Sequence, residues 1–259
     1  MFVRRIRVRF PSAAVALCRA LPLIVLAAAS GSSARAQPTD SLLLHLEFEG
    51  DLLDSSGNAH HGVDTGTLGF DTGIVGQATV FSGDDSVTMP SVPDDAFSTA
   101  PYSVTFWFDV PQTLQASLVG KRQICNVSPF FDIRSFPDEV NYAIATASAS
   151  NVLVGPRDDG WRFYAAVRED GWIRLYLDGV LADQAPLPPI DIENTAMLGI
   201  STSPCIGADG TQMLEGSLDD LRIYTRSLTA EEVKSFVPGL IFGDGFETGE
   251  LDAWTQTVP

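Results

Sequence analysis

Basic side chains are scarce in this chain, and the scarcity deepens once its first segment is set aside. Of 16 lysines and arginines, six precede Gln37, which leaves ten against all 33 acidic residues and a formal charge of −23 from Gln37 onward. That balance excludes nucleic acid and anionic membrane surfaces as partners, because both select for basic patches. It permits divalent cations but establishes no site, since acidic surface usually serves solvation. Histidine is also rare. His45, His60 and His61 are the whole complement, and neither member of the His60–His61 pair, in a turn, has a serine, cysteine or acid at a recognised catalytic spacing. No phosphate-binding glycine loop and no Cys/His metal spacing occurs, and helical periodicity is nearly absent.

Long apolar runs are missing except at the start. Arg4, Arg5, Arg7 and Arg9 lead into "LPLIVLAAAS" from Leu21 and then "ARAQ", the pattern of a secretory signal over residues 1–36 with cleavage before Gln37. The run falls short of the roughly 20 residues that span a bilayer, so the expectation is a secreted or periplasmic protein without membrane insertion. Three cysteines are present. Cys18 leaves with the signal, and Cys125 and Cys205 remain as an even pair in an oxidising compartment, which predicts one disulfide. A catalytic thiol is disfavoured, because the histidines lie far from both cysteines in sequence.

What remains is strand. After a short linker, 37–41, residues 42–237 read as one domain of short apolar segments broken by turn residues, and 238–259 as a Gly-rich acidic tail too small for its own core. "LLLHLEF" is a first strand, "DSSGNAHHG" a loop, and "GQATVFSGDDSVTMP" two strands joined by Gly83, Asp84 and Asp85. "YSVTFWFDV" alternates Val104, Phe106, Phe108 and Val110 against Thr105, Trp107 and Asp109. Asp170-Gly171 and Asp178-Gly179 punctuate a three-strand meander, which the proline-rich "APLPPI" ends at an edge or a crossing loop. Thr229 followed by Glu231 and Glu232 predicts one N-capped helical turn.

"LDDLRIY", from Leu218 to Tyr224, poses a chemical problem. Strict alternation puts Leu218, Asp220, Arg222 and Tyr224 on one face and Asp219 on the other with Leu221 and Ile223. A carboxylate on an apolar row needs a proton, a basic partner or a metal.

The segments "FEGDLLDSSGNAHHG", "GIVGQATVFSGDDSVTMP", "YSVTFWF", "WRFYAAVREDGWIRLYLDGVL" and "EGSLDDLRIYTRSLTAEEV" together resemble the concanavalin A-like, laminin G-like domains of secreted bacterial proteins. The family often shows W-x-H at the central hairpin, where this chain has Trp161, Arg162 and Phe163. The resemblance implies an all-β fold, an antiparallel two-sheet jelly-roll sandwich with one short C-terminal helical turn. Relatives that cleave β-glucans carry an E-x-D-x-x-E strand, whose acids share one face about 5 Å apart. No such triplet occurs here, and Glu47 and Glu49 belong to the first strand, so no enzyme activity is expected.

The expected function is noncatalytic recognition of a glycan or, alternatively, of a cell-surface protein; a purely structural role is the third class. Aromatic rings that stack on sugar faces are the expected ligand contacts: Trp172, Arg174 and Tyr176 on one strand face, with Trp107 behind them, the competing reading being that these aromatics are packing. The resemblance further implies a structural calcium at Asp219, with Glu49 and the Asp54–Asn58 turn as neighbouring oxygen donors. Asp219 bonded to backbone amides without metal is the alternative.

Overall fold

A computed structural model describes residues 37–237; the signal sequence and the tail expected from the sequence lie outside the described residues. The strands are β1 Leu42–Leu46, β2 Val63–Thr65, β3 Gly69–Thr72, β4 Gln77–Ser82, β5 Ser86–Met89, β6 Tyr102–Asp109, β7 Ala116–Ile124 and β8 Val127–Phe136. They continue with β9 Glu139–Ala145, β10 Ser150–Pro156, β11 Arg162–Glu169, β12 Trp172–Leu177, β13 Val180–Pro186, β14 Leu198–Ile200 and β15 Glu215–Tyr224, and one helix, α1, follows at Ala230–Lys234. Thr229 caps α1, and Glu232 reciprocates in a capping box, as the sequence predicts.

Two antiparallel sheets face each other. One runs β13-β12-β11-β6-β15-β4-β3, with β1 also paired to β15; the other runs β10-β9-β8-β7-β14-β5-β2. This is the two-sheet jelly roll expected. The meander β11-β12-β13 forms as read, β13 is an edge, and the chain after its proline-rich end crosses to β14 in the other sheet. The inner faces meet in one core that includes Val104, Phe106, Phe108 and Val110 from β6, so its alternation holds.

Three of the few cations lie inside this frame and fasten loops to it. The Arg157 guanidinium donates to the carbonyls of Val110 and Pro111, each at 2.7 Å, and of Phe136 at 3.2 Å. Arg168 donates to the carbonyls of Ser98, Thr99 and Ile190, and the Lys121 ammonium to those of Asn194 and Ala196 and to the Asp94 carboxylate. A buried carbonyl without a donor is costly, so these side chains allow irregular connections to lie against the sandwich.

β15 changes partners halfway. Glu215–Leu218 pair with β4, and Leu221–Tyr224 pair with β1. At the changeover Asp219 opposes Trp107 and Arg222 opposes Thr105, so β15 advances three residues while β6 advances two. The extra residue is Asp220, whose φ of 50° lies in the left-handed region. This bulge corrects the strict alternation expected for "LDDLRIY". Leu218 joins Leu221 and Ile223 in the core, whereas Asp219 shares its direction with Trp107, away from the core.

Candidate functional site

The expected ligand strand is only partly available. Trp172, Arg174 and Tyr176 do share a face of β12, opposite Ile173, Leu175 and Leu177 in the core. Tyr176 and Trp107, however, are buried in a second apolar cluster with Phe163, Tyr224, Leu228, Val233 and Phe236. Phe236 stacks on Phe163 at 5.5 Å between ring centroids. The segment carrying α1 therefore lies over the outer face of the eight-stranded sheet and takes those two aromatics as packing. Trp172 remains 39% exposed, and Arg174 pairs with Glu169 and donates to Gln184.

The carboxylates expected to hold calcium face backbone amides instead. Asp219 Oδ2 accepts from the amides of Ile74 and Val75 at 2.7 and 2.8 Å. Both oxygens of Glu49 face the amide of Gln77, at 3.1 and 3.2 Å. Asp54 accepts from the amides of His45, Ser56 and His60 and from the Ser56 hydroxyl. Asp219 and Glu49 thus latch the same turn, and "GIVG" supplies the space. A Cβ on Gly73 would fall 2.5 Å from Asp219 Oδ2, and one on Gly76 would collide with Glu49.

Burial pushes the Asp219 carboxyl up to about 6, with Asp220 adding to the rise and the two amides opposing it. Its Oδ1 is buried without a hydrogen-bond partner among the described residues. Calcium needs six to eight oxygens; here N–H donors face Glu49, Asp54 and one oxygen of Asp219. Among the described residues, the group of side chains close enough to hold a metal is Cys125, Cys205 and Asp209, and its two sulfurs form a disulfide. The expected outcome of adding calcium or EDTA is a melting temperature unchanged within about 1 °C, read by thermal denaturation; a clear calcium-dependent rise would restore the metal reading.

A more developed site lies on the outer face of the seven-stranded sheet, on residues not expected from the sequence to meet a ligand. Along "FFDIRSF" Phe131 and Ile133 enter the core, so Phe130, Asp132, Arg134 and Phe136 point the other way. That polar alternation is visible in the sequence. Asp132 is 1% exposed and pairs with Arg122 at 3.1 Å and with Arg134 at 3.5 Å. Burial raises its carboxyl, against the pull of Arg134 and Arg122. Arg122 lies over the Phe130 ring at 3.7 Å, and Arg134 lies 5.2 Å from that of Phe136.

The neighbouring strands complete the patch. β9 places Asn141 beside Arg134 and Ala143 beside Asp132, and β10 places Val154 and Val152 beyond them. Both valines are exposed, whereas Asn141 is 6% exposed. Among the described residues the amide oxygen of Asn141 is buried without a hydrogen-bond partner, and Nε of Arg134 has only its 3.5 Å ion-pair contact with Asp132. Asp209 and Thr211 arrive from the loop before β15 and accept from Arg134 Nη1 at 2.9 and 3.0 Å. That loop is held by the expected Cys125–Cys205 disulfide, which ties it to the β7–β8 turn.

Comparison with known proteins gives the fold its relatives. No curated protein matches the chain. Among solved structures, domain 4 of AbnA, an extracellular arabinanase of Geobacillus stearothermophilus, in complex with arabinotriose, aligns with a TM-score of 0.60 at 22% identity, covering 76% of this chain and 98% of that one. The binding domain of Paraclostridial mosquitocidal protein 1 aligns at 0.62 and 17% identity, over 76% of this chain and 52% of that one. A botulinum neurotoxin DC binding domain in complex with rat synaptotagmin II aligns at 0.60 and 14%, over 76% and 51%. The chain spans about half the length of these two toxin domains. The model of the concanavalin A-like lectin/glucanases superfamily matches residues 81–234, more than half of the sequence, and the chain belongs to that superfamily.

Proposed function

We propose that this chain is an exported, noncatalytic recognition module that binds a neutral glycan on the outer face of its seven-stranded sheet. One observation carries the reading: on one sheet face two partly exposed phenylalanines, Phe130 and Phe136, flank the guanidiniums of Arg122 and Arg134 and the Asn141 amide, whose Oδ1 has no hydrogen-bond partner among the described residues. Sugars offer flat apolar faces for such rings and hydroxyls for such acceptors and donors. Arg122 and Arg134 are balanced by Asp132 and Asp209, which favours an uncharged ligand. The arabinotriose held by AbnA domain 4 supports the ligand class, and the synaptotagmin complex of a toxin domain keeps a cell-surface protein as the alternative partner. The disulfide and the resemblance to an extracellular enzyme's domain support export. Among the described residues no helix is long and apolar enough to cross a membrane.

A panel of neutral oligosaccharides that includes arabinotriose, titrated calorimetrically, tests the proposal. Phe136→Ala and Asn141→Ala should each weaken binding about tenfold or more, the equivalent of ~1.4 kcal/mol, while Trp172→Ala should leave it unchanged. Binding lost on Trp172→Ala and retained in the other two would move the site to β12, where Trp172 and Arg174 remain at the surface.

A further inference from the structure

We propose that Ser55 is a nucleophilic serine, activated through His45 by Asp220, that accepts one acyl group from an activated ester without turnover; this goes beyond the recognition role and leaves the module noncatalytic. The three residues come from distant parts of the chain. His45 lies on β1, opposite Arg222 of β15, and the bulge at Asp220, with its left-handed φ of 50°, turns that carboxylate toward the imidazole. A non-glycine residue held in this conformation is strained. His45 Nε2 lies 2.7 Å from Asp220 Oδ1, and His45 Nδ1 lies 2.9 Å from Ser55 Oγ. Asp220 is 3% exposed, whereas Ser55 is open to solvent. Nucleophile, base and orienting acid thus stand within hydrogen-bond reach in series, the geometry by which such relays are recognised on unrelated folds.

The Asp220 carboxylate, 2.7 Å from Nε2, decides the tautomer. Arg222 Nε directs its N–H toward both His45 Nε2, at 3.1 Å, and Asp220 Oδ1, at 3.0 Å, and Arg222 Nη2 lies 2.9 Å from the same oxygen. With Nε2 protonated, the imidazole and both guanidinium nitrogens donate to the carboxylate, and Arg222 Nε keeps Asp220 Oδ1 as its acceptor in place of Nε2. A carboxylate is also the stronger acceptor. Nδ1 then carries a lone pair and accepts the Ser55 hydroxyl proton, which has as its competing acceptor the His45 carbonyl at 3.3 Å. The Glu47 carboxylate, 3.7 Å from Nδ1, stabilises the imidazolium that forms when the proton moves.

The step balances without a cofactor. Ser55 Oγ bonds to the ester carbonyl carbon and gives its proton to His45 Nδ1; the bond from that carbon to the leaving oxygen breaks, and the leaving oxygen takes the proton. His45 touches the reacting proton, and Asp220, acting through His45, is a positioning residue.

The test uses the exported chain and p-nitrophenyl acetate, with acetylated peptides mapped by mass spectrometry. Ser55 should be acetylated at least about 100-fold faster than the exposed Ser150, a typical general-base gain. Ser55→Ala should remove that label, and His45→Gln should slow it by a comparable factor. Asp220→Asn should slow it about tenfold or more while acetylation of exposed Lys234, which does not pass through His45, stays the same. Labelling of Ser55 no faster than Ser150, or undiminished in His45→Gln, overturns the proposal. Glycan binding is measured separately on the same samples and is expected to persist in Ser55→Ala, so failure of either reading is distinguishable from failure of the other.

Discussion

Replacing Cys125 and Cys205 together by serine should cost the protein more stability than any single substitution named above. The bridge joins residues 80 apart, for which chain entropy sets an upper guide of ~4.5 kcal/mol. Denaturant unfolding of the double variant should show a lower midpoint at nearly unchanged slope. The same change should also weaken glycan binding, because the loop it frees carries Asp209 and Thr211 to Arg134. A variant as stable as the wild type would show that the turn and loop are held by their hydrogen bonds alone, and binding at full strength would detach that loop from the site.

Asp219→Ala should be the next most damaging substitution, at ~2–4 kcal/mol, because it removes a charged acceptor from two amides of one turn. The conservative Asp219→Asn carries the more informative result, a pH dependence. The carboxyl is raised from 3.8 to about 6 by burial. The unfolded chain releases this proton first, so between those values the folded state holds the extra proton and stability falls as pH rises. Relative to Asp219→Asn, the wild type should therefore lose on the order of 1–2 kcal/mol between about pH 4 and about pH 6, less than the full shift implies because the turn above Asp219 is partly solvated. Parallel stability profiles for the two proteins would show that Asp219 titrates as an ordinary carboxylate.

Much of this architecture is legible in the chain because it rests on local chemistry. Period-two alternation marks β6 and β12, Asp-Gly marks the hairpins, and the Thr229–Glu232 box marks α1. Expectation and structure part where a distant segment decides the outcome. Trp107 and Tyr176 look like ligand-facing aromatics from their own strands, yet Leu228–Phe236 covers them. Asp219 looks like a core-row acid until the partner change on β15 inserts Asp220 and turns the register. Its amide partners at Ile74 and Val75 lie some 145 positions away, and no spacing rule connects them. The Phe130–Asp132–Arg134–Phe136 row is different. Its alternation is local and plain in the sequence, but its phenylalanines stand beside charged residues rather than in an aromatic run like that of the β11–β12 hairpin, so they do not stand out as ligand contacts until the strands are paired.

The placement of β15 bears on how the chain reaches this state. Among the described residues it is the last strand in sequence, yet it sits inside its sheet, between β6 on one side and β4 and β1 on the other. Until Tyr224 has emerged, whether from a ribosome or from a translocation channel, β1 has no partner and the inward edges of β6 and β4 stay open. Such non-local closure is intrinsically slow, and the open edges are sites for wrong pairing in the interval. A chain whose sheet cannot close before β15 arrives keeps those edges exposed for as long as β15 is withheld.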